Sequence, residues 1–275
     1  MNRDLVLRCL LLPEEFGAQL WRSRELWGGR EDPRVEFEWL EACAQFVHTC
    51  EEEARSGRLS APVQQLSWGI NPALWAPVQG RSVTLRRLGL RDASQVHEVL
   101  NAPEFLRSYA RSLPTTLPEI EDWLRAAQTP RWPVRRVEFV VVCNNSQRVI
   151  GLAALADLSV EDRRAEWLVG ISPNARRGAL GSAGIEAACL LLSFAFERIG
   201  LNKLVSYVYD DNPRALENTL HLGFSREGTL KEHVWDKGLN RFLSINVQAL
   251  MRAEYESSAL LHKLRARYLV DRHTS

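Results

Sequence analysis

The sequence predicts an α/β domain that follows an N-terminal helical extension. Three observations predict it. β-branched runs and helical repeats alternate from residue 82 onward, two of these runs are linked by a short polar turn, and a glycine-rich junction precedes the most apolar helix of the chain. With 275 residues and 45% apolar composition, the chain can bury the core of one large domain, or of one domain and an appendage.

Residues 1–80 are the predicted extension, and they are rich in tryptophan. The segment is predicted as two helices followed by a loop, with helical spacing between Pro33 and Gly57 and a proline-punctuated stretch over 61–80. Five of the nine tryptophans fall in this segment: Trp21, Trp27, Trp39, Trp68 and Trp75. Two short helices cannot cover five such side chains between themselves, so we expect the extension to pack against the domain that follows.

The first half of the domain is predicted as a strand, two helices and a hairpin. Val83, Leu85 and Leu88 indicate the strand. Asp92 with Gln95, and Thr116 with Glu119, have the spacing of capping boxes that open two helices. Val137–Cys143 and Val149–Ala156 are apolar runs separated by a polar turn, and they predict the hairpin.

The second half contains a buried helix between two strands. Trp167–Ile171 and Leu204–Tyr209 are the predicted strands, and a helix from about Ser182 to Arg198 is too apolar to lie on the surface. A shorter helix begins with Asn212 as its N-cap and Pro213 at the first helical position, and it ends at Gly223.

The junction from Ser172 to Gly184 is the first candidate site. A helix N-terminus offers free backbone N–H groups and a positive dipole, and glycines allow a phosphate to approach the backbone closely. The Walker A and dinucleotide-binding patterns are both absent here. The junction predicts a pyrophosphate site, and the alternative is an ordinary strand-to-helix turn.

Several motifs in this order resemble the GNAT N-acetyltransferases. They are Val149-Ile-Gly-Leu, Ala165-Glu-Trp, the junction, Phe194-Ala-Phe-Glu-Arg-Ile-Gly-Leu-Asn-Lys-Leu, Asn212-Pro-Arg-Ala and Leu222-Gly-Phe. The resemblance implies a GNAT fold over residues 81–255, with a mixed, mostly antiparallel sheet flanked by helices, and a C-terminal helical tail over residues 256–275. The stretch after Gly223 is similar to two branches, the ribosomal-protein N-terminal acetyltransferase-like group and the amino-sugar N-acetyltransferases of pseudaminic acid synthesis.

The resemblance implies acetyl-CoA as the acyl donor. The family's pyrophosphate signature falls on Gly178, Gly181 and Ala183, so glycine stands where the family has glutamine or arginine. The other cofactor-binding residues that the resemblance implies are Val169, Ile171, Arg176, Arg177, Ser182 and Asn212. Arg176 and Arg177 are then the source of positive charge in the junction.

Acetyl transfer to an amine requires a proton acceptor and a group that stabilises the oxyanion. Glu166 is the candidate base, acting through a water, and a backbone N–H near Val169 or Gly170 is the candidate oxyanion donor. The alternative for Glu166 is an ordinary strand carboxylate. The family's usual acid position holds Thr219, a very weak acid, so either Tyr207 or Tyr209 substitutes or the thiolate leaves without a dedicated acid. We favour the unassisted thiolate.

The acceptor amine is predicted to contact Arg107, Tyr109, His233 and Trp235, which lie in the segments that select acceptors in this superfamily. Arg107 and the nearby Arg111 suit an acceptor that carries phosphate or carboxylate, such as a nucleotide-linked amino sugar. Alternatively, the arginines reflect composition alone and His233 is an ordinary strand histidine.

Overall charge and cysteine content exclude several classes of protein. The net charge of +1 provides no general field for nucleic acid, and no stretch of the sequence reaches transmembrane length. The five cysteines form no CxxC pair and no zinc spacing with the histidines, so we expect free thiols, no metal and a cytoplasmic protein.

The sequence favours the first of three functions. It is a small-molecule N-acetyltransferase whose preferred acceptor is an amino-sugar nucleotide or a similar primary amine, with homodimer formation left open. The second is a protein N-terminal or aminoacyl-tRNA acetyltransferase, and the third is a non-catalytic acyl-CoA-binding module.

Overall fold

The computed structural model describes residues 77–102, 105–109, 114–128, 135–159, 162–176 and 181–269. The helices and packing predicted for the tryptophan-rich segment lie outside these residues. Within the described ranges, no helix is both long and apolar enough to cross a membrane.

The domain consists of eight strands and eight α-helices within the described ranges. The strands are β1 (Val78–Gln79), β2 (Val83–Arg87), β3 (Val137–Cys143), β4 (Val149–Ser159), β5 (Arg164–Ile171), β6 (Lys203–Tyr209), β7 (Ser225–Asp236) and β8 (Arg241–Met251). The helices are α1 (Ala93–Leu100), α2 (Phe105–Tyr109), α3 (Leu117–Gln128), α4 (Pro173–Arg176), α5 (Ala183–Ser193), α6 (Pro213–His221), α7 (Arg252–Ser257) and α8 (Ala259–Tyr268). A π-helical turn at Phe194–Arg198 extends α5, and a short 3-10 turn at Leu90–Asp92 precedes α1.

All eight strands form one sheet in the order β1-β2-β3-β4-β5-β6-β8-β7. Every neighbouring pair is antiparallel except β5 and β6, which run parallel. The predicted mixed, mostly antiparallel sheet with flanking helices is therefore confirmed, as is the hairpin of β3 and β4.

Two hydrophobic clusters lie on opposite faces of the sheet, because alternate side chains of a strand point to opposite faces. Val137, Phe139 and Val141 pack with α5 and α8 on the first face. Val140 and Val142 pack with α1, α2 and α3 on the second. The helix α5 is buried between the sheet and α8, as its apolar sequence predicts.

The capping box predicted at Asp92 is wrong. Asp92 is the N-cap residue of α1, but its side chain makes no cap hydrogen bond. Its carboxylate instead accepts a hydrogen bond from the backbone N–H of Gly89 and forms a bidentate ion pair with Arg86. Gln95 accepts a hydrogen bond from the Val149 backbone N–H. Arg86 lies six residues before Asp92, at the end of β2 and outside the three-residue spacing of a capping box, so that spacing did not indicate the pairing.

Strand β7 forms the outer edge of the sheet, and two register shifts interrupt its pairing with β8. The second shift lies between Leu230 and Val234, where Glu232 has a φ of 46°. Bulges and charged residues on an edge strand hinder pairing with another chain. The exposed residues of β7 are therefore protected against uncontrolled strand addition.

A buried carboxylate connects the start of the sheet to α5. Glu186 is fully buried, and its oxygens accept hydrogen bonds from the backbone N–H groups of Ser82 (2.8 Å) and Val83 (3.2 Å) and from the Ser82 hydroxyl. A side chain at Gly80 would collide with the same carboxylate, since an added Cβ would lie 2.4 Å from Oε1. Glu186 thus fixes the turn between β1 and β2 against the central helix.

Replacing Glu186 with leucine should lower the free energy of unfolding by about 3 kcal/mol, because three donors would lose their acceptor in a buried position. Chemical denaturation of Glu186→Leu measures this. The control Glu98→Gln removes an exposed carboxylate that pairs with Arg148, and it should change stability by less than about 0.5 kcal/mol. Equal stabilities of the two variants would contradict the role of Glu186.

Candidate functional site

The parallel strands β5 and β6 separate partway along their length. They pair only at Arg164 with Lys203, Ala165 with Leu204 and Glu166 with Val205. Beyond Glu166, β5 continues to Ile171 along β4 and β6 continues to Tyr209 along β8. The result is a V-shaped opening in the middle of the sheet, with one unpaired strand edge on each side among the described residues.

The predicted residues Val169, Gly170 and Ile171 lie along the β5 side of this opening. Val169 packs against the cluster below α5, and Ile171 is buried within it. Gly170 faces the opposite side of the sheet, where an added Cβ would lie 2.6 Å from the Tyr109 ring and 3.1 Å from that of Phe105. Gly170 therefore allows α2 to lie directly on the strand.

The N-terminus of α5 lies beyond the end of β5. Gly181 is exposed and Ser182 occupies the N-cap position, where its side chain makes no cap hydrogen bond. Ser182 therefore does not occupy the backbone N–H groups of the first turn with its own side chain, and the helix dipole favours an anion there. Arg177 and Gly178, and the side chain of Arg176, lie outside the described residues.

Asn212 connects the two sides of the opening. Its Oδ1 accepts a hydrogen bond from the Ala215 N–H (3.2 Å), which caps α6. Its Nδ2 donates to the carbonyl oxygen of Ser108 in α2 at 3.4 Å. Since α2 lies on β5 and α6 follows β6, this hydrogen bond spans the mouth of the V.

The opening fits a long, narrow ligand with an anionic end. Its two strand edges offer backbone hydrogen-bonding groups, and the uncapped start of α5 offers a phosphate-binding terminus. Pantetheine and pyrophosphate have this combination of groups. Of the residues predicted to bind acetyl-CoA, Val169, Ile171, Gly181, Ser182, Ala183 and Asn212 are among the described residues and lie around this opening; acetyl-CoA supplies the activated acetyl thioester when bound.

Glu166 lies where β5 and β6 separate, at the last paired position. It is half-buried on the face that carries α1, α2 and α3. Desolvation raises the pKa of its carboxyl group above the ordinary value, Arg136 acts against this increase, and Asp157 adds to it. Within the described residues, no ion pair or hydrogen bond engages the carboxylate, so it is available to accept a proton.

Tyr109 lies over the same face. Its ring stacks with Phe105 at a centroid distance of 5.3 Å and is buried. Burial raises the pKa of the Tyr109 hydroxyl, with a smaller opposing effect of Arg136 and additional increases from Glu138 and Glu166. Tyr109 therefore remains a neutral hydroxyl facing the charged groups around Glu166.

The ion pair of Arg136 with Glu138 was not predicted from the sequence. Arg136 Nε donates to Glu138 Oε1 at 2.6 Å, and Glu138 is buried. A signal was present, because Arg136 and Glu138 alternate with Val137 and Phe139 at the start of an otherwise apolar strand. Period-two alternation places both charges on the face opposite α5.

Thr219 has a structural environment. It is buried, and its hydroxyl lies 3.0 Å from the carbonyl oxygens of both Ala215 and Leu216 and contacts Gln248 Oε1. Tyr207 is exposed and lies on the same face as Glu166, because it is two residues beyond the pairing partner Val205. The hydrogen bonds of Thr219 support our assignment of no proton transfer to this residue.

The four predicted acceptor contacts are not brought together by any contact among the described residues. Tyr109 lies beside the opening, and Arg107 is in the same helix α2, although its side chain is outside the described residues. His233 and Trp235 are exposed on β7, which β6 and β8 separate from β5. Trp235 packs instead against Phe242, at a centroid distance of 4.9 Å.

Comparisons with known proteins agree with this geometry. The family described as "Acetyltransferase (GNAT) domain" matches residues 82–225. Spermidine N(1)-acetyltransferase of Escherichia coli K12 is 31% identical over 160 residues, which are 58% of this chain and 82% of that protein. The uncharacterized N-acetyltransferase p20 of Bacillus licheniformis is 24% identical over 174 residues, or 63% of this chain and 94% of that protein.

Solved structures show the same fold. A GCN5-related N-acetyltransferase from Brucella melitensis has a TM-score of 0.58 and 21% identity, covering 70% of this chain and 84% of its own. The structure of spermidine N-acetyltransferase from Vibrio cholerae in complex with CoA and spermine has a TM-score of 0.55 and 22% identity, and the match covers 64% of this chain and 99% of that chain. These similarities confirm neither of the two predicted branches, since two of the reported proteins are spermidine N-acetyltransferases and the names of the other two give no acceptor. The chain belongs to the GNAT family of N-acetyltransferases, which use acetyl-CoA as the acyl donor.

Proposed function

We propose that this acetyltransferase acetylates the primary amine of a small molecule, with Glu166 as the base. The observation that carries the proposal is the position of Glu166. Its carboxylate is half-buried, has no ion-pair partner among the described residues and lies where β5 and β6 separate. A proton acceptor at the apex of the opening is next to the place where the thioester would lie.

The chemistry follows from the charge of the reactants. An alkylammonium ion must lose a proton before its nitrogen can attack the thioester carbon. Glu166 accepts that proton through a water, and a backbone N–H of β5 near Val169 or Gly170 stabilises the oxyanion. The C–N bond forms as the neutral nitrogen attacks, the C–S bond breaks as the carbonyl forms again, and the second proton lost from the nitrogen passes through water to the departing thiolate. With the Thr219 hydroxyl hydrogen-bonded inside α6, the thiolate leaves without an acid from that helix.

The local charges favour a cationic acceptor of the polyamine type. Arg136 is paired with Glu138, and Arg164 is paired with Asp157 at 2.6 Å, so Glu166 remains as an additional negative charge. The spermidine acetyltransferase relative supports the same class. A nucleotide-linked amino sugar is the competing acceptor, and it would depend on arginines of the segment 107–111 whose side chains lie outside the described residues.

Acetyl-CoA at 100 times its Kd should stabilise the protein by about 2.7 kcal/mol, measured as an increase in Tm. Gly181→Val should remove the increase, because a branched side chain before α5 would obstruct the approach of a phosphate to the helix terminus. Gly228→Val is the control, since an added Cβ there would meet no atom within 4 Å. Full stabilisation of Gly181→Val would place the pyrophosphate elsewhere.

Glu166→Gln should lower kcat by roughly 10²- to 10⁴-fold and leave the KM for acetyl-CoA nearly unchanged, because a base acts in the transition state. In the wild type, kcat/KM should increase as pH rises through the raised pKa of Glu166, because only the carboxylate accepts a proton. Stopped assays of CoA release across pH test both statements. Asp162→Asn, an exposed carboxylate on the same hairpin, serves as control. Unchanged kcat in Glu166→Gln would remove this residue from the reaction.

An acceptor panel separates the competing substrates. We expect spermidine to give a higher kcat/KM than a nucleotide-linked amino sugar or a peptide N-terminus, and to lose this advantage as salt screens its charges. A preference for the nucleotide-linked amino sugar would overturn the polyamine assignment. Binding of acetyl-CoA without acetylation of any of the three would favour a non-catalytic module.

A further inference from the structure

We propose that Arg136, held in place by Glu138, is a positioning residue that controls the charge of Glu166 across a floor of two alanines. The inference rests on the proposed function, in which Glu166 is the base. It adds the charged pair of Arg136 and Glu138 to the proposed acceptor site. These residues lie at the start of β3, which does not border the opening between β5 and β6.

The register of the sheet aligns these residues. Val137 pairs with Leu155, so Arg136 comes level with Ala156, and Ala156 pairs with Glu166. In the adjacent row, Glu138 pairs with Ala154, and Ala154 pairs with Leu168. All of these side chains share one face. We call Ala154 and Ala156 the alanine floor, because their methyl groups leave the space between β3 and β5 free for the longer side chains on either side.

Glu138 determines the orientation of the guanidinium group. Its carboxylate accepts from Arg136 Nε at 2.6 Å, and the side chain of Glu138 is only 9% exposed, whereas that of Arg136 is 38% exposed. The two terminal nitrogens of Arg136 take no part in this hydrogen bond. Arg136 is therefore held by a buried partner on its own strand, and its positive charge remains close enough to act on both Glu166 and Tyr109.

Other groups on this face have partners of their own or are uncharged. Arg164 is paired with Asp157 at 2.6 Å and with Asp162 at 3.5 Å. Tyr109 from α2 is a neutral hydroxyl, and Tyr207 from β6 lies on the far side of the opening. Asp157 raises the pKa of Glu166, and Arg136 is the group that lowers it. Arg136 thus opposes both desolvation and Asp157, which keeps Glu166 ionised at lower pH than its burial alone would allow.

Three variants test the inference. Arg136→Met removes the positive charge but keeps an apolar stem. The acid limb of the kcat/KM profile should move to higher pH, so that kcat/KM on this limb falls on the order of threefold while the plateau at high pH is unchanged. Arg136→Lys keeps the charge and should restore most of the profile. Glu138→Gln keeps a hydrogen-bond acceptor for Arg136 Nε but removes the negative charge that neutralises Arg136. The acid limb of the kcat/KM profile should therefore move to lower pH.

A second measurement is independent of the reaction. The carboxyl carbon of Glu166 can be titrated by NMR in the cofactor-free full-length protein, with its signal assigned from Glu166→Gln. The NMR pKa should rise in Arg136→Met and fall in Glu138→Gln. Arg148→Met is the matched control, because Arg148 also pairs with a glutamate but lies at the other end of β3 and β4. Thermal melts identify any variant that is unfolded.

The outcomes distinguish the two proposals. Opposite NMR shifts in Arg136→Met and Glu138→Gln, with none in Arg148→Met, support control of Glu166 by the ion pair, whatever the kinetics show. If those shifts occur without any change in the pH profile, the inference stands and Glu166 is not the base. A folded Arg136→Met protein with the wild-type NMR titration overturns the inference, even if Glu166→Gln abolishes turnover.

Discussion

The site depends on one constraint, the separation of two parallel strands after three residue pairs. Beyond Glu166 and Val205, β5 is held by β4 and β6 is held by β8, so neither strand needs the other to satisfy the rest of its length. The sheet therefore opens without losing its continuity. The opening places a strand edge, a helix terminus and a carboxylate within one region, and the proposed chemistry requires all three.

Small residues in the sheet make room for the groups around this opening. Gly170 allows the rings of Phe105 and Tyr109 to lie on β5, and the alanine floor leaves space between Arg136 and Glu166. Larger side chains at these positions would displace α2 or fill the space between β3 and β5. This face of the sheet is thus shaped by small side chains as well as by charged groups, and burial raises the pKa of Glu166 there.

Helix α6 contains Thr219 at the position where the family resemblance implies an acid, and the contacts of this residue are structural. Asn212 caps it and Thr219 is hydrogen-bonded to its carbonyl groups and to Gln248 of β8. Both residues fasten α6 to its surroundings. In our proposal the departure of the thiolate needs no acid from this helix, and the tuning of proton transfer belongs to the opposite end of the site, at β3.

Local sequence patterns determined the α/β class, the hairpin of β3 and β4, the buried helix α5 and the Asn212 cap, because each depends on neighbouring residues and on repeating apolar spacing. The order of motifs also indicated the family and the position of Glu166. Sequence alone could not bring Asn212 to Ser108 or Arg136 to Glu166, since these residues meet only through strand register and helix packing. The tertiary structure also decided the point at which β5 and β6 separate, because beyond that point β5 pairs with β4 and β6 pairs with β8. No pattern within β5 or β6 indicates where their pairing with each other ends.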